Sequence, residues 1–477
     1  MMTRDISQVV EKLRTAFADD DAMLRWGADI PVKHCSDWTR LPPVIPLALA
    51  RPRTTEQVSR LLGLCHETGT PVVPQGGLTG LVGGAHPVEG CVAISMERMS
   101  GVEEIDAAAG TMTVLAGTPL EQAQAAADAV GLMFPLDLGA RGSCTIGGNV
   151  ATNAGGNRVI AYGPTRNQVL GLEVVLADGS VLQSMNRLIK DNTGYDLKHL
   201  FIGSEGTLGI ITRAILSLRP QPATTITALC ALPSAEALVP SLAALRSRIG
   251  PSLSAFEAMW PDFWQVIVAQ AGRKSPFARA HGAYALIEMS GFDCERDEDR
   301  LQIALSDMLE AGLLSDVVVA QTSRETGDFW GIREAVGELR SLMGSLISFD
   351  VSIPAQSADA FVATAVAALE KRWPDATHLA YGHLGDNNIH IIVRVPSAFD
   401  EQPKDLINEI VYDAVARFRG SVSAEHGIGL TKKGFLHLSR SPIEIATMQA
   451  VKATLDPRGI MNPGKLFDRR LSREEIP

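Results

Sequence analysis

A chain of 477 residues, 46% hydrophobic and 20% charged, has the composition of a globular protein and the length of two or three domains rather than one core. Its formal charge of −11 and pI near 5.5, with no basic stripe anywhere, exclude nucleic acid as a natural partner. The six cysteines (Cys35, Cys65, Cys91, Cys144, Cys230 and Cys294) lie far apart and form no CxxC, which excludes a zinc ribbon or a disulfide framework and predicts reduced, mostly buried thiols.

The chain opens with MMTRDISQVVEKLRTAFADDDAM, rich in acids and without an unbroken apolar run. Ile6, Val9, Val10, Leu13 and Phe17 recur at helical spacing, so an amphipathic helix is predicted rather than a signal peptide. No later apolar stretch is long enough to span a bilayer. A cytoplasmic protein is expected, with a peripheral visit to the inner membrane left open. After a Pro- and Arg-rich extended stretch, EQVSRLLGLCHETGT reads as a helix ending at Gly and PVVPQ as a short strand. From 91 to 220 short apolar runs alternate with Gly-rich turns, and the ADG between EVVL and SVLQ predicts a hairpin. The composition shifts at RPQPATT, residues 219–225. Strands such as TALCALP, GAYALIEMSG, ISFDVSIP and HIIVRVP then alternate with longer helices, an order that fits antiparallel strands carrying helices on one face. The expected division is 1–38, 39–220, 221–430 and 431–477, in an α+β fold.

Residues 74–87, PQGGLTGLVGGAHP, hold five glycines. Such density lets bare backbone N–H groups approach a ligand, and a concave run of them binds a diphosphate without side-chain charge. A tight structural loop would need similar residues. The Rossmann pattern is absent, since no GxGxxG opens a helix here. Two further segments, PLDLGARGSCTIGGNVATNAGGNRVIAYG (135–163) and GSEGTLGIIT (203–212), are equally poor in bulky side chains and would let a flat ligand lie against the chain.

A second constellation lies downstream. YGHLGDNNIH (381–390) puts His383 and His390 either side of a turn, and SAEHG supplies Glu425 and His426. Two imidazoles and a carboxylate suit Zn²⁺ or Mn²⁺ with positions left open for substrate, although buried histidines often only bond to backbone.

The set PxGGxTGLxGG, GGNxATNAGG, DNTGYDLKHLFIGSEGTLGIIT, YGHLGDNNIH, SAEHGIG and LDPRGIMNPGK, in order over roughly residues 40 to 467, resembles the D-2-hydroxyacid dehydrogenase branch of the vanillyl-alcohol oxidase superfamily. That resemblance implies a PCMH-type FAD-binding domain at 39–220, a ferredoxin-like antiparallel-sheet substrate (cap) domain at 221–430, and a C-terminal helical segment packing back on the FAD domain. It implies a first FAD contact at Gln75, Gly76, Gly77, Leu78, Thr79, Gly80, Gly83 and Gly84. A second falls at Pro135, Gly147, Gly148, Asn153, Gly155 and Gly156, a third at Glu205, Gly206 and Ile211, with Asn462 from the terminal turn. Covalent relatives attach FAD through a His beside the double Gly; Leu78 stands there, so non-covalent FAD is expected and His86 is structural. His383, His390 and Glu425 become metal ligands, His426 the base, with a fourth ligand or a hydrogen-bond donor as its alternatives. Arg333 of FWGIREAV becomes the clamp on the substrate carboxylate through its planar fork, although a lone Arg on a helix is usually solvated.

Members acting on 2-hydroxyglutarate carry Lys, Thr and Asn where this chain has Ser348, Gly337 and Ile392. Losing those polar contacts would leave a distal carboxylate unpaired. The expected substrate is therefore D-lactate or another D-2-hydroxy acid with a short or apolar tail, with D-2-hydroxyglutarate as runner-up. A non-catalytic subunit of a glycolate-oxidising complex, an oxidase and an alkyl-transferring flavoenzyme are the rival classes. A homodimer passing electrons to an electron-transfer flavoprotein, a quinone or a cytochrome is expected.

Overall fold

The computed structural model describes residues 6–39 and 41–468. The ends of the expected terminal segments, residues 1–5 and 469–477, lie outside the described residues, as does Arg40 of the extended stretch. The chain divides into two units: one comprises Met1–Gly156, Pro164–Gln221 and Glu425–Pro477, the other Asn157–Gly163 and Pro222–Ala424. The expected breaks fell at 220/221 and 430/431. The short segment 157–163 was not expected to group with the second unit.

In the first unit the helix Ile6–Ala16 buries Val9, Leu13 and Ala16, while Ile6 stays exposed. Helix Thr55–Thr68 starts where the Thr54 side chain accepts from the Gln57 N–H and ends at Gly69 with φ +65°. It buries Val58, Leu61, Leu62 and Cys65, in one core with Val72, Val92 and Ile94. Those last residues belong to a four-stranded sheet ordered Leu24–Arg25, Ala48–Ala50, Val92–Ser95, Val72–Gln75. Its last three strands are parallel, and Pro74 is tolerated because its strand lies at an edge. A five-stranded antiparallel sheet follows, with order Val102–Asp106, Thr111–Leu115, Ile210–Ser217, Val169–Val175, Val181–Ser184. The hairpin read from ADG is present, with Val175 opposite Val181.

The second unit is one seven-stranded antiparallel sheet. Its order is Asp316–Val319, Thr224–Leu232, Ala283–Gly291, Leu253–Met259, Thr377–His383, Asn388–Arg394, Ile347–Ser352. Met259, Tyr284, Leu286, Leu379 and Tyr381 pack against Phe263, Trp264 and Ile267 of one helix and Phe329 and Ile332 of another. The intervening strand residues are buried as well: every residue of Leu253–Met259 is inaccessible, and helices Leu238–Ile249 and Cys294–Glu310 also contact these strands. The expectation of helices on one face is therefore corrected. Both faces are covered, which is why these strands read as near-continuous apolar runs without alternation. Five cysteines are buried, Cys294 is exposed, and all six are reduced. Among the described residues no helix is long and apolar enough to cross a membrane.

The ring of Phe263, fully buried, stacks 4.6 Å from that of Tyr381. Phe263→Ala removes that ring from a closed core. It should destabilise this unit by about 3–5 kcal/mol, measured by chemical denaturation with the fluorescence of neighbouring Trp264 as reporter.

Candidate active site

The first unit holds a cavity of about 350 Å³, within the range of small-molecule sites. The three Gly-rich segments meet around it. Strand Val72–Gln75 delivers the first loop, which runs on without forming a helix. Gln75 to Gly80 and Gly84 line the cavity, followed by Gly147, Gly148 and Gly155, then Glu205, Gly206 and Ile211. Glycine at 77 is a packing requirement, because a Cβ there would fall inside the contact radius of the Ser143 carbonyl oxygen. Gly156 combines φ +103° with an equally close approach to the Asp137 carbonyl. Leu78 and Glu205 adopt φ +59° and +52° without being glycine, a strain of about 1–2 kcal/mol per residue that the surrounding contacts must hold.

Those contacts come largely from the tail. The Asn462 amide donates to the carbonyls of Gly84, at 2.8 Å, and Glu205, at 2.7 Å. Lys465 Nζ donates to the His86 carbonyl at 2.8 Å. Inside the loop, the Gln75 amide donates to the carbonyls of His34 and Ala85, and its oxygen bonds His34 Nδ1. Loop carbonyls thus face the tail and the Gln75 amide, and bare glycine faces the cavity. Lys465 is almost fully buried, and burial pulls its ammonium down to about 8 despite the nearby Asp37 and Glu205. Burial also raises the Glu205 carboxyl, against the pull of the Ile428 and Gly429 N–H groups and of Lys432 and Lys465. A glycine-walled cradle backed by buried lysines fits the diphosphate and flavin of FAD.

Glu425 and His426 line the same cavity. The Glu205 carboxylate accepts from the N–H groups of Ile428, at 2.7 Å, and Gly429, at 2.8 Å, which anchors the turn directly after them. Glu425 Oε2 in turn accepts from the Gly156 N–H at 3.3 Å.

The second unit gathers the remaining side chains at one end of its sheet. Tyr381 and His390 are cross-strand partners, and the rings of His383 and His390 lie 5.4 Å apart. His383 Nδ1 is 2.7 Å from Glu257 Oε1. Glu257 Oε2 accepts from Arg333 Nε at 2.8 Å. Arg333 is buried rather than solvated, its guanidinium stacked 4.6 Å over Tyr381. Burial alone would raise the Glu257 carboxyl, but His383 and Arg333 outweigh it and hold the group below the usual carboxylate range.

Several expected cofactor residues do not line this cavity. Gly83, at φ +82°, packs on Leu430, and Asn153 caps its helix while its side chain accepts from the Arg166 N–H. Pro135, Gly156 and Asn462 are likewise not lining residues. Sequence reasoning missed Ala116, Leu138, Thr145 and Asn149, which do line it; three of the four sit inside the second Gly-rich stretch. It also missed Glu257, whose strand carried no signal. The specificity positions cluster: Ser348 pairs with Ile392 and Asp350 with His390 on adjacent strands.

A glycine-walled cavity in an α+β chain, outside any Rossmann motif, suits a dinucleotide held by backbone N–H groups. Residues 221–466 match the family of FAD linked oxidases, C-terminal domain, and residues 46–184 match the FAD binding domain. Over 445 residues the chain is 41% identical to D-2-hydroxyglutarate dehydrogenase of Xanthomonas citri pv. viticola, covering 92% of this chain and 93% of that protein. It is also 41% identical over 432 residues to the mitochondrial D-2-hydroxyglutarate dehydrogenase of Bos taurus, covering 90% of this chain and 78% of that one. Among solved structures, p-cresol methylhydroxylase with substrate bound superposes with a TM-score of 0.79 at 19% identity, over 98% of each chain; at that identity the likeness concerns the fold. The chain belongs to the FAD-linked oxidases.

If the tail holds the loop in shape for FAD, Asn462→Ala and Lys465→Met should each lower FAD occupancy after dialysis at least tenfold, read as flavin absorbance per protein. Full retention in both would show that the loop keeps its shape unaided.

Proposed function

We propose that this protein oxidises a D-2-hydroxy acid to the 2-oxo acid, using non-covalent FAD and a divalent cation. One observation carries the reading: His426, an imidazole placed to act as a general base, lines the same glycine-walled cavity that fits the flavin. When bound, FAD accepts the α-hydrogen as hydride, and the cation polarises the substrate hydroxyl as a Lewis acid. His426 removes the hydroxyl proton, so the substrate loses one hydride and one proton and becomes the 2-oxo acid. Arg333 offers the outer edge of its guanidinium to the carboxylate, its Nε side being held by Glu257. His383 and His390 are the proposed imidazole ligands and Glu425 the carboxylate ligand. The donor set suits Zn²⁺ or Mn²⁺. Electron-transfer flavoprotein, a quinone or a cytochrome would each accept the two electrons afterwards.

For the substrate, the D-2-hydroxyglutarate dehydrogenases at 41% identity outweigh the expectation drawn from three positions, and D-2-hydroxyglutarate is taken first. A second reading, a substrate with a short or apolar tail, keeps a specific observation in its favour. Ile392 is buried in an apolar cluster with Leu379, and a side chain at Gly337 would meet open space. A distal carboxylate would have to be met by groups other than these.

Anaerobic mixing of the holoenzyme with each acid decides between them. Flavin bleaching at lower concentration by D-2-hydroxyglutarate than by D-lactate is expected, and the reverse order would favour the second reading. Bleaching by no D-2-hydroxy acid would sink both. His383→Ala is expected to abolish turnover and lower bound metal while FAD per protein stays normal; full activity in that variant after exhaustive chelation would remove the metal from the mechanism.

A further inference from the structure

We propose that Glu257 is a positioning residue that orients His383 and Arg333 together, fixing the imidazole as its Nδ1–H tautomer and the guanidinium by its Nε edge. The inference rests on the reading that His383 holds a metal and Arg333 the substrate carboxylate. It adds a residue that touches neither.

Glu257 lies in strand Leu253–Met259 directly opposite His383, the last residue of strand Thr377–His383. Register partners of an antiparallel pair share a face, so the carboxylate meets the ring without leaving the sheet. It is wholly inaccessible to solvent. An ionised carboxylate only accepts, so the 2.7 Å contact to His383 Nδ1 requires a proton on that nitrogen. A guanidinium only donates, and Arg333 Nη2 stands 3.5 Å from His383 Nε2, at the outer limit of a hydrogen bond. The Glu257 contact therefore sets the tautomer of the neutral ring, with the lone pair on Nε2, and the guanidinium brings no acceptor that would draw the proton there. That is the state a metal-ligating imidazole needs, with its other ring N–H held by a carboxylate. The second carboxylate oxygen takes Arg333 Nε at 2.8 Å, while the Tyr381 ring, two residues before His383, supports the guanidinium face. One side chain thus sets the rotation of the ligand and the direction of the clamp.

Glutamine has the same shape but cannot replace both functions. Its single acceptor oxygen can serve His383 or Arg333, and its NH₂ then faces the other. Facing His383, it forces the proton to Nε2; facing Arg333, it opposes donor to donor.

The test uses the full-length holoenzyme stripped of metal, with Zn²⁺ alone as probe. In Glu257→Gln the affinity for Zn²⁺ by calorimetry should fall about 10- to 100-fold, KM for D-2-hydroxyglutarate should rise, and FAD per protein should be unchanged. In parallel, ¹⁵N-histidine spectra of the wild-type holoenzyme, with His383 assigned by its loss in His383→Asn, should show Nδ1 protonated and Nε2 bare. That measurement needs no folded Glu257 variant and no metal. Protonation of Nε2 in the wild type would overturn the proposal, as would wild-type Zn²⁺ affinity and KM in Glu257→Gln. Should the wild type take up no Zn²⁺, the metal reading fails by itself, and the tautomer and the KM change still judge Glu257.

Discussion

One residue ties the first unit's separate pieces into a single site, through its backbone and its carboxylate alike. Glu205 donates its N–H to Ala151 of the second Gly-rich segment, and its carbonyl accepts from Asn462 of the tail. Its carboxylate accepts from Ile428 and Gly429, just beyond Glu425 and His426. It meets these four partners with φ +52°, an unfavourable conformation for a residue with a Cβ. A buried carboxylate satisfied by two backbone donors is affordable where an orphan one is not. Removing it would free the turn that carries His426 from the wall that carries the glycines.

The second unit solves a different problem with the same chemical group. Arg333 and Glu257 are both buried, and an isolated charge in that core would be expensive. Each offsets the other, and the Tyr381 face covers the guanidinium. Breaking such a pair by deleting one partner typically costs about 3–5 kcal/mol because the survivor is left uncompensated. Replacing both by apolar residues would be far milder. The pair is therefore poorly explained as a device for stability, and better explained by what it holds in place.

How much of this was legible in the sequence follows from which atoms do the work. The cradle was visible because backbone approach demands glycine, and glycine is the one residue that advertises backbone geometry. The helix Thr55–Thr68 and the ADG hairpin were visible because capping and turn residues are local signals. Strand Leu253–Met259 was not, since LSAFEAM has no β-branched residue, no alternation and several good helix formers; burial on both faces erased its period. Glu257 was lost with it. Gly83, Asn153 and Asn462 do not line the cavity, and a residue that shapes a wall and one that forms it leave the same mark in a sequence.

The separation of tasks bears on how such a chain can change substrate. Ser348 and Ile392 face each other two pairs along from Asp350 and His390. Glu257 and His383 are paired on a different strand interface. Side chains along a strand alternate, so positions two residues from His390 point to the same face without touching its anchor. Substitutions at 348 and 392 would leave the residues that orient His383 and Arg333 fixed. That independence lets Ser348 and Ile392, the latter packed with Leu379, stand beside the Glu257–His383–Arg333 arrangement without disturbing it.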